Sequence, residues 1–328
     1  MPAASVIIPS FKRIEQTVKT IQLLLASDGV GKSVELEIIV SDSTPDESLH
    51  TAVSTRFGPD LIYVRPENPG IAANKNAGAK KARHPILIFC DSDMEVEKQT
   101  IVLTLEYLKT HDTAAAVGGT VLWRGGPHEG ERDRPRPEDR MKMIGPTTYT
   151  EAIYSRYMAT YKDVFAAVGG YDEVVFNMRG EGSDLSARYW RAGFPLTYES
   201  HIVVHHVHEA PESAALRVPH PEWGIAKDLL LLAYKYNMLD EDYPAFAATV
   251  GMNFVPFGAQ GVYRFMQGIG KYAELLVQAK PILDAFRASD KPAYDFKFLE
   301  VFSNTALFER CIAESVEKLN VIRKKIST

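Results

Sequence analysis

Only two cysteines, Cys90 and Cys311, occur in 328 residues. They lie far apart and lack metal-ligand spacing, which excludes a disulfide framework and fits a reducing, cytoplasmic setting. No uncharged apolar run reaches the roughly 18 residues that a membrane-spanning helix needs. The opening MPAASVIIPSFKR has no basic start leading into a long apolar stretch, so no signal peptide is expected and the chain reads as soluble. A basic excess is missing as well. The formal net charge is -5, which argues against a general nucleic-acid binder. Lys and Arg gather in GERDRPRPEDRMK, but acidic residues are interleaved there. No G-x-G-x-x-G follows the first apolar strand, which argues against a dinucleotide oxidoreductase. PSFKRIEQ lacks the glycines of a pyrophosphorylase-type loop.

What is present is a core-forming composition, 45% hydrophobic, ordered into alternating patterns. SVIIP precedes an amphipathic stretch over residues 17–26, and ELEIIVSD precedes ESLHTAVSTRF. LIYVRP precedes GIAANKNAGAKKA, and PILIFCDSD precedes KQTIVLTLEYLKT. Strands alternating with helices at this spacing predict βαβ units and a mostly parallel sheet flanked by helices. Ligands bind such sheets at the carboxyl ends of the strands. Residues 124–147, rich in Gly, Pro and charge, read as a long loop able to close over a site. From about Pro221 the pattern becomes helical, in WGIAKDLLLLAYKYNML, RFMQGIGKYAELLVQA and CIAESVEKLNVIRKK.

Asp91 and Asp93 end the most hydrophobic strand, ILIFC. Like charges that close repel unless a cation lies between them, and hard oxygen ligands suit Mg²⁺ or Mn²⁺. A turn with solvated aspartates is the plain alternative. A haloacid-dehalogenase-like phosphatase would carry this pair on its first strand, whereas three strands precede it here. The stretch HIVVHHVH holds four histidines in eight residues, although a histidine in a strand is most often structural.

Six stretches in order resemble a GT-A-fold glycosyltransferase of family 2: SVIIPSFKR, IIVSDSTPDES, NPGIAANKNAG, ILIFCDSD, YKDVFAAVGGYDE and GEGSDLSARYWRAGF. The last is also similar to the acceptor-side motif of the polypeptide N-acetylgalactosaminyltransferases, which retain anomeric configuration. The resemblance implies a GT-A, Rossmann-like catalytic domain over 1–215, with a donor half to about residue 95 and an acceptor half over 96–215. Residues 216–328 form a helical C-terminal extension, open to packing on the catalytic domain, homodimerisation or peripheral contact with the inner face of a membrane.

The implied activity is transfer of a sugar from a nucleotide-diphosphate donor to a hydroxyl acceptor, such as a glycan or another cell-surface or secondary-metabolite precursor. Pro9 and Phe11 would flank the base, and Asp42 would accept a hydrogen bond from it, which leans toward UDP. Lys75 would meet the donor phosphates, and Asp91 the sugar or ribose hydroxyls. Asp93 would bind Mn²⁺ or Mg²⁺, with His205 as the metal-binding histidine ahead of His206 and His208. The family's usual general base is replaced by Gly182, which leaves Glu181 or Asp184 for that role. Inversion is favoured over retention. A non-catalytic nucleotide-sugar binding protein is the remaining alternative.

Overall fold

The computed structural model describes residues 1–132, 140–153, 155–207, 221–236, 277–296 and 300–327. Among them, one ten-stranded sheet organises the chain. Strands β1 (Ala3–Ser10), β2 (Glu35–Asp42), β3 (Ile62–Val64) and β4 (Ile86–Cys90) pair in parallel, in the order β3-β2-β1-β4. Helices α1 (Ile14–Leu25), α2 (Ser48–Phe57) and α3 (Ile71–Lys81) connect them, which are the βαβ units expected from the alternation. Val6, Ile7, Ile8, Ile39, Val40, Ile88 and Phe89 are fully buried. Such near-continuous apolar strands suit a sheet with both faces covered.

The second half of the sheet is mixed. Strand β9 (Tyr157–Tyr161) runs antiparallel between β4 and β6 (Ala116–Arg124), and β10 (Leu196–Val207) lies parallel to β6. The short β5 (Met94–Val96) pairs antiparallel with β10, opposing His206 to Met94 and His205 to Glu95. Strands β7 (Met141–Ile144) and β8 (Thr147–Thr150) form a hairpin at the sheet's edge. Part of the stretch expected as a loop over 124–147 is therefore strand, while residues 133–139 lie outside the described residues. Gly145, at φ 56, opens the two-residue Gly145–Pro146 turn, a conformation that glycine adopts without steric cost. The outer elements α4 (Thr100–Thr110), α5 (Lys162–Ala167) and α6 (Glu181–Arg191) pack on β10 and β6, β9, and β10 respectively.

Beyond the sheet, α7 (Pro221–Lys235), a helical stretch over 277–289 and α8 (Thr305–Ser327) make up the described helical part. Most of RFMQGIGKYAELLVQA lies outside the described residues. None of the described helices is long and apolar enough to cross a membrane. Trp190 of α6 is fully buried, with ring centroids 5.7 Å from Phe296 and 5.8 Å from Phe308. Its indole N–H donates to Thr150 O at 3.1 Å. Arg323 of α8 donates to the carbonyls of Leu108 and His111 at the end of α4. The C-terminal elements are thus built onto the sheet through aromatic packing and a charged clasp.

A buried ion cluster joins α6 to α7. Asp184 lies 2.8 Å from Arg188 Nη2 and 2.7 Å from Lys235 Nζ, and accepts from the Tyr236 hydroxyl at 2.8 Å. Burial alone would raise its pKa, but the charges of Arg188 and Lys235 and the hydrogen bonds outweigh it and hold the carboxyl below its ordinary value of 3.8. A depressed carboxylate contributes stability above its unfolded value and loses it as pH falls through the folded value. Thermal melts of the wild type between about pH 5 and about pH 2 are expected to show that loss, and Asp184→Asn to show a shallower acid dependence. At neutral pH Asp184→Asn leaves two buried cations under-compensated and should cost about 3–5 kcal/mol by denaturant unfolding. Trp190→Ala should cost a similar amount, about 3–5 kcal/mol, from the cavity left beneath the aromatic cluster.

Candidate functional site

The site forms where β4 ends. Its last residue, Cys90, is fully buried, and the chain then turns over Asp91–Met94, with Met94 N–H donating to Asp91 O at 3.2 Å. The turn is pinned from both sides. Asp91 N–H donates to Arg156 O at 2.9 Å, and Thr20 Oγ1 of α1 reaches Ser92 O at 2.9 Å and Met94 O at 2.8 Å. A hydrogen-bonded turn on a rigid strand fixes both carboxylates in place.

Asp93 is 5% exposed, and its Oδ2 is shared by two donors. The Arg13 guanidinium pairs with it, and His206 Nε2 lies 3.2 Å away. Burial would push the Asp93 carboxyl up, but the His206 hydrogen bond and the charges of Arg13, His206 and Arg156 hold it well below the usual range. His206 is itself enclosed, with Arg156 Nη1 at 3.1 Å from Nδ1 and the Trp123 ring centroid at 4.4 Å. The histidine beside Asp93 is therefore His206, which corrects the expectation for His205. Successive side chains on a strand point to opposite faces. The β5–β10 ladder, with Val207 N–H donating to Asp93 O at 3.0 Å, turns His206 inward and sends His205 to Glu97 at 3.0 Å. His208 lies outside the described residues.

Asp91 belongs to a second group. Lys75 Nζ lies 3.3 Å from Asp91 Oδ1 and 3.4 Å from Glu181 Oε1, and donates to Ser155 O at 3.0 Å. The Lys75 side chain is fully buried, and its ammonium faces these carboxylates where a contact with the donor phosphates was expected. The two acids diverge. Burial, with Asp93 and Glu181 nearby, raises Asp91 despite Lys75; burial of Glu181 is outweighed by the Lys75 charge and the Ser155 hydrogen bond, which lower it. Asp91 Oδ1, though buried, receives no hydrogen bond. Its geometry toward Lys75 is that of an ion pair only.

Of the two acids expected at the acceptor side, the structure brings Glu181 to Asp91 through Lys75. Asp184 faces away, into the α6–α7 ion cluster, because Arg188, Lys235 and Tyr236 occupy its carboxylate. At Gly182 a Cβ would lie 3.1 Å from both Cβ and Oγ of Ser155, the residue whose hydroxyl donates to Glu181. A side chain at the position of the family's usual base would press on that serine.

At the base end, Pro9 is buried within β1 and Phe11 is partly exposed, with Lys12 Nζ 5.2 Å from its ring centroid. Asp42 is fully buried. Its Oδ1 accepts from Thr44 N–H at 2.8 Å and Thr44 Oγ1 at 2.6 Å, and its Oδ2 accepts from the Tyr63 hydroxyl. Both oxygens are engaged inside the protein. Asp42 therefore shapes the loop at the end of β2 before it reads any base.

Sequence reasoning passed over Arg13, Ser155, Arg156, Tyr63 and Trp123. Arg13 had a signal, since it stands two residues after Phe11 at the end of the first strand. Arg156 had none, because no local pattern marks a cation just before an antiparallel strand inserted beside β4.

Residues 5–167 match the sequence profile of Glycosyl transferase family 2. The chain is 36% identical over 111 residues to the uncharacterized glycosyltransferase YfnE of Bacillus subtilis (strain 168), across 33% of this chain and 27% of that protein. It is 25% identical over 200 residues to the probable N-acetylgalactosaminyltransferase 9 of Caenorhabditis elegans, across 50% of this chain and 33% of that protein. It thus spans between 27% and 33% of the length of these two relatives. The solved structure of the mannosyltransferase PcManGT from Pyrobaculum calidifontis, in complex with GDP-Man and Mn²⁺, superposes with a TM-score of 0.54 at 14% identity, covering 98% of this chain and 86% of that one. At that identity the likeness is one of fold. With this fold, the ordered motifs and the match over residues 5–167, the chain carries a family 2-like glycosyltransferase domain of GT-A fold.

Proposed function

We propose that this protein transfers a sugar from a nucleotide-diphosphate donor to a hydroxyl acceptor, with a divalent cation bound at Asp93. The observation that carries the reading is the pair Asp91 and Asp93, fixed at the carboxyl edge of the parallel sheet and ringed by Lys75, Arg13, Arg156 and His206. Ligands enter sheets of this kind at that edge. The division into a catalytic domain over 1–215 and a helical extension over 216–328 is part of the same proposal.

The donor set fits a cation. Asp93 offers a carboxylate oxygen, His206 an imidazole nitrogen, and Asp91 Oδ1 is a buried oxygen without a hydrogen bond. Among the described residues no group of three or more His, Cys, Asp or Glu is arranged to hold a metal ion by itself. Donor oxygens and water would complete the coordination, as is usual for Mg²⁺ and Mn²⁺ at phosphate sites. Such a cation, when bound, supplies neutralisation of the charge that develops on the departing diphosphate.

The chain's own residues then divide the work. Asp91 points toward the sugar end of the donor, and Lys75 keeps Asp91 and Glu181 together by neutralising both. Glu181 is the acid placed to accept the acceptor's proton in an inverting displacement. Retention is the second reading, favoured by the crowding that a side chain at position 182 would meet at Ser155.

Incubating the protein with a panel of nucleotide sugars, Mn²⁺ and candidate acceptors, and measuring nucleoside diphosphate release, tests the reading. One donor class should be turned over, and Asp93→Ala should bring release to background. Turnover that survives Asp93→Ala would remove the cation assignment, and binding of a donor without transfer or hydrolysis under any divalent metal would favour a binding protein. The anomeric configuration of the product, read by proton NMR, decides between inversion with Glu181 as base and retention.

A further inference from the structure

We propose that Arg13 is the exchangeable counter-cation of Asp93. Its guanidinium neutralises that carboxylate until a divalent cation takes it, and then turns to the diphosphate of the donor. The inference rests on the nucleotide-sugar reading above and adds a diphosphate-binding residue to it.

Asp93 Oδ2 already carries both Arg13 Nη1 and His206 Nε2. A divalent cation on the same oxygen would stand within contact range of the guanidinium, and two cations so close repel. One of the present partners has to leave. His206 is poorly placed to do so, being 7% exposed on a strand paired on both sides, with Trp123 against its ring. Arg13 is the more exposed of the two, 35% at its side chain, on the residue that precedes α1.

The backbone beneath Arg13 is held by its neighbours. Arg13 O accepts from Thr17 N–H at 3.0 Å and also from Thr17 Oγ1, and Lys12 N–H donates to Thr44 Oγ1 at 2.8 Å. Lys12 stands at φ 56, the one non-glycine residue with positive φ among those described. A left-handed lysine is uncommon and persists only where its surroundings impose it. Here it turns the chain sharply between Phe11 and α1, and this turn brings Arg13 over the end of β4.

The destination follows from what the other cations do. Lys75 is fully buried beneath Asp91 and Glu181, and Arg156 is engaged with His206. Arg13 is 35% exposed, and a guanidinium fork matches paired phosphate oxygens. Metal binding and diphosphate binding are then coupled through one side chain.

The test uses the full chain and two probes. Mn²⁺ affinity is measured without nucleotide by the EPR signal of free Mn²⁺. UDP and GDP affinities are measured separately by calorimetry with Mn²⁺ present. Arg13→Ala should bind Mn²⁺ alone about 10-fold tighter and bind the nucleoside diphosphate about 10-fold more weakly, opposite signs that a merely structural residue would not produce. Arg13→Lys, which keeps the charge and loses the fork, should fall between on both counts and serves if Arg13→Ala does not fold. Mn²⁺ binding that is unchanged or weaker in the variants overturns the proposal, as does nucleotide binding that is unchanged. A wild type that binds nucleotide but not Mn²⁺ overturns the cation reading and the exchange with it. Mn²⁺ binding of unaltered strength in both variants sinks the exchange alone.

Discussion

Three carboxylates, Asp91, Asp93 and Glu181, are gathered at the end of one apolar strand, and the rest of the site follows from how their charge is compensated. Buried acids stay ionised only where cations and hydrogen bonds surround them, and removing one partner from such a set costs far more than removing a surface pair. Each compensating group rides on a different element. Lys75 comes from α3, Arg13 from the turn before α1, Arg156 from the turn before β9 and His206 from β10. The charge requirement therefore fixes how the two halves of the sheet meet. Asn177 adds a further tie, since its carbonyl and side chain accept from Ala72 and Ala73 N–H at the start of α3. Gly70 makes that approach possible, because a Cβ there would lie 2.1 Å from Asn177 Oδ1.

The separation of the acids into two groups gives the pair unequal character. Asp93, under an arginine and a histidine, is held ionised. Asp91, with one lysine shared between it and Glu181, is raised, and its Oδ1 receives no hydrogen bond. Perturbed carboxylates gather at functional sites, and structural ion-pair networks shift them too, so the unequal bonding of the two acids carries the distinction. The Asp184 cluster is the contrast within this chain, since its carboxylate is satisfied by two cations and a hydroxyl and serves packing.

Much of this was legible in the sequence, and the failures share a cause. The strand–helix alternation announced the parallel half of the sheet, and ILIFCDSD announced a rigid strand ending in two acids, because both signals are local. The choice between His205 and His206 depended on the register of β10 against β5, a pairing between residues more than a hundred positions apart. A shift of one residue reverses every side chain on a strand, so composition cannot decide it. Lys75 read as a phosphate ligand from its motif, and only the arrival of Ser155 and Glu181 from the other half of the chain shows it buried. The hairpin over 141–150 hid beside a charged stretch because its strands are only four residues each and the first is half-exposed.

The acceptor-side helix α6 shows why Gly182 is more than a missing base. Glu181 and Asp184 are three residues apart, yet one closes the ion group with Lys75 and Asp91 while the other holds α7, so a single helix carries both the site and its support. Trp190, at the far end of the same helix, sits against Phe296 and Phe308 of the C-terminal elements. Ser155 ties this helix to α3. Its carbonyl accepts from Lys75 and its hydroxyl donates to Glu181, so one residue seats both members of the pair. A Cβ at position 182 would lie 3.1 Å from Ser155 Cβ and Oγ, so a side chain there needs Ser155 to give by a few tenths of an ångström. A carboxylate at 182, on the inverting pattern, would therefore press on the residue that seats both Lys75 and Glu181.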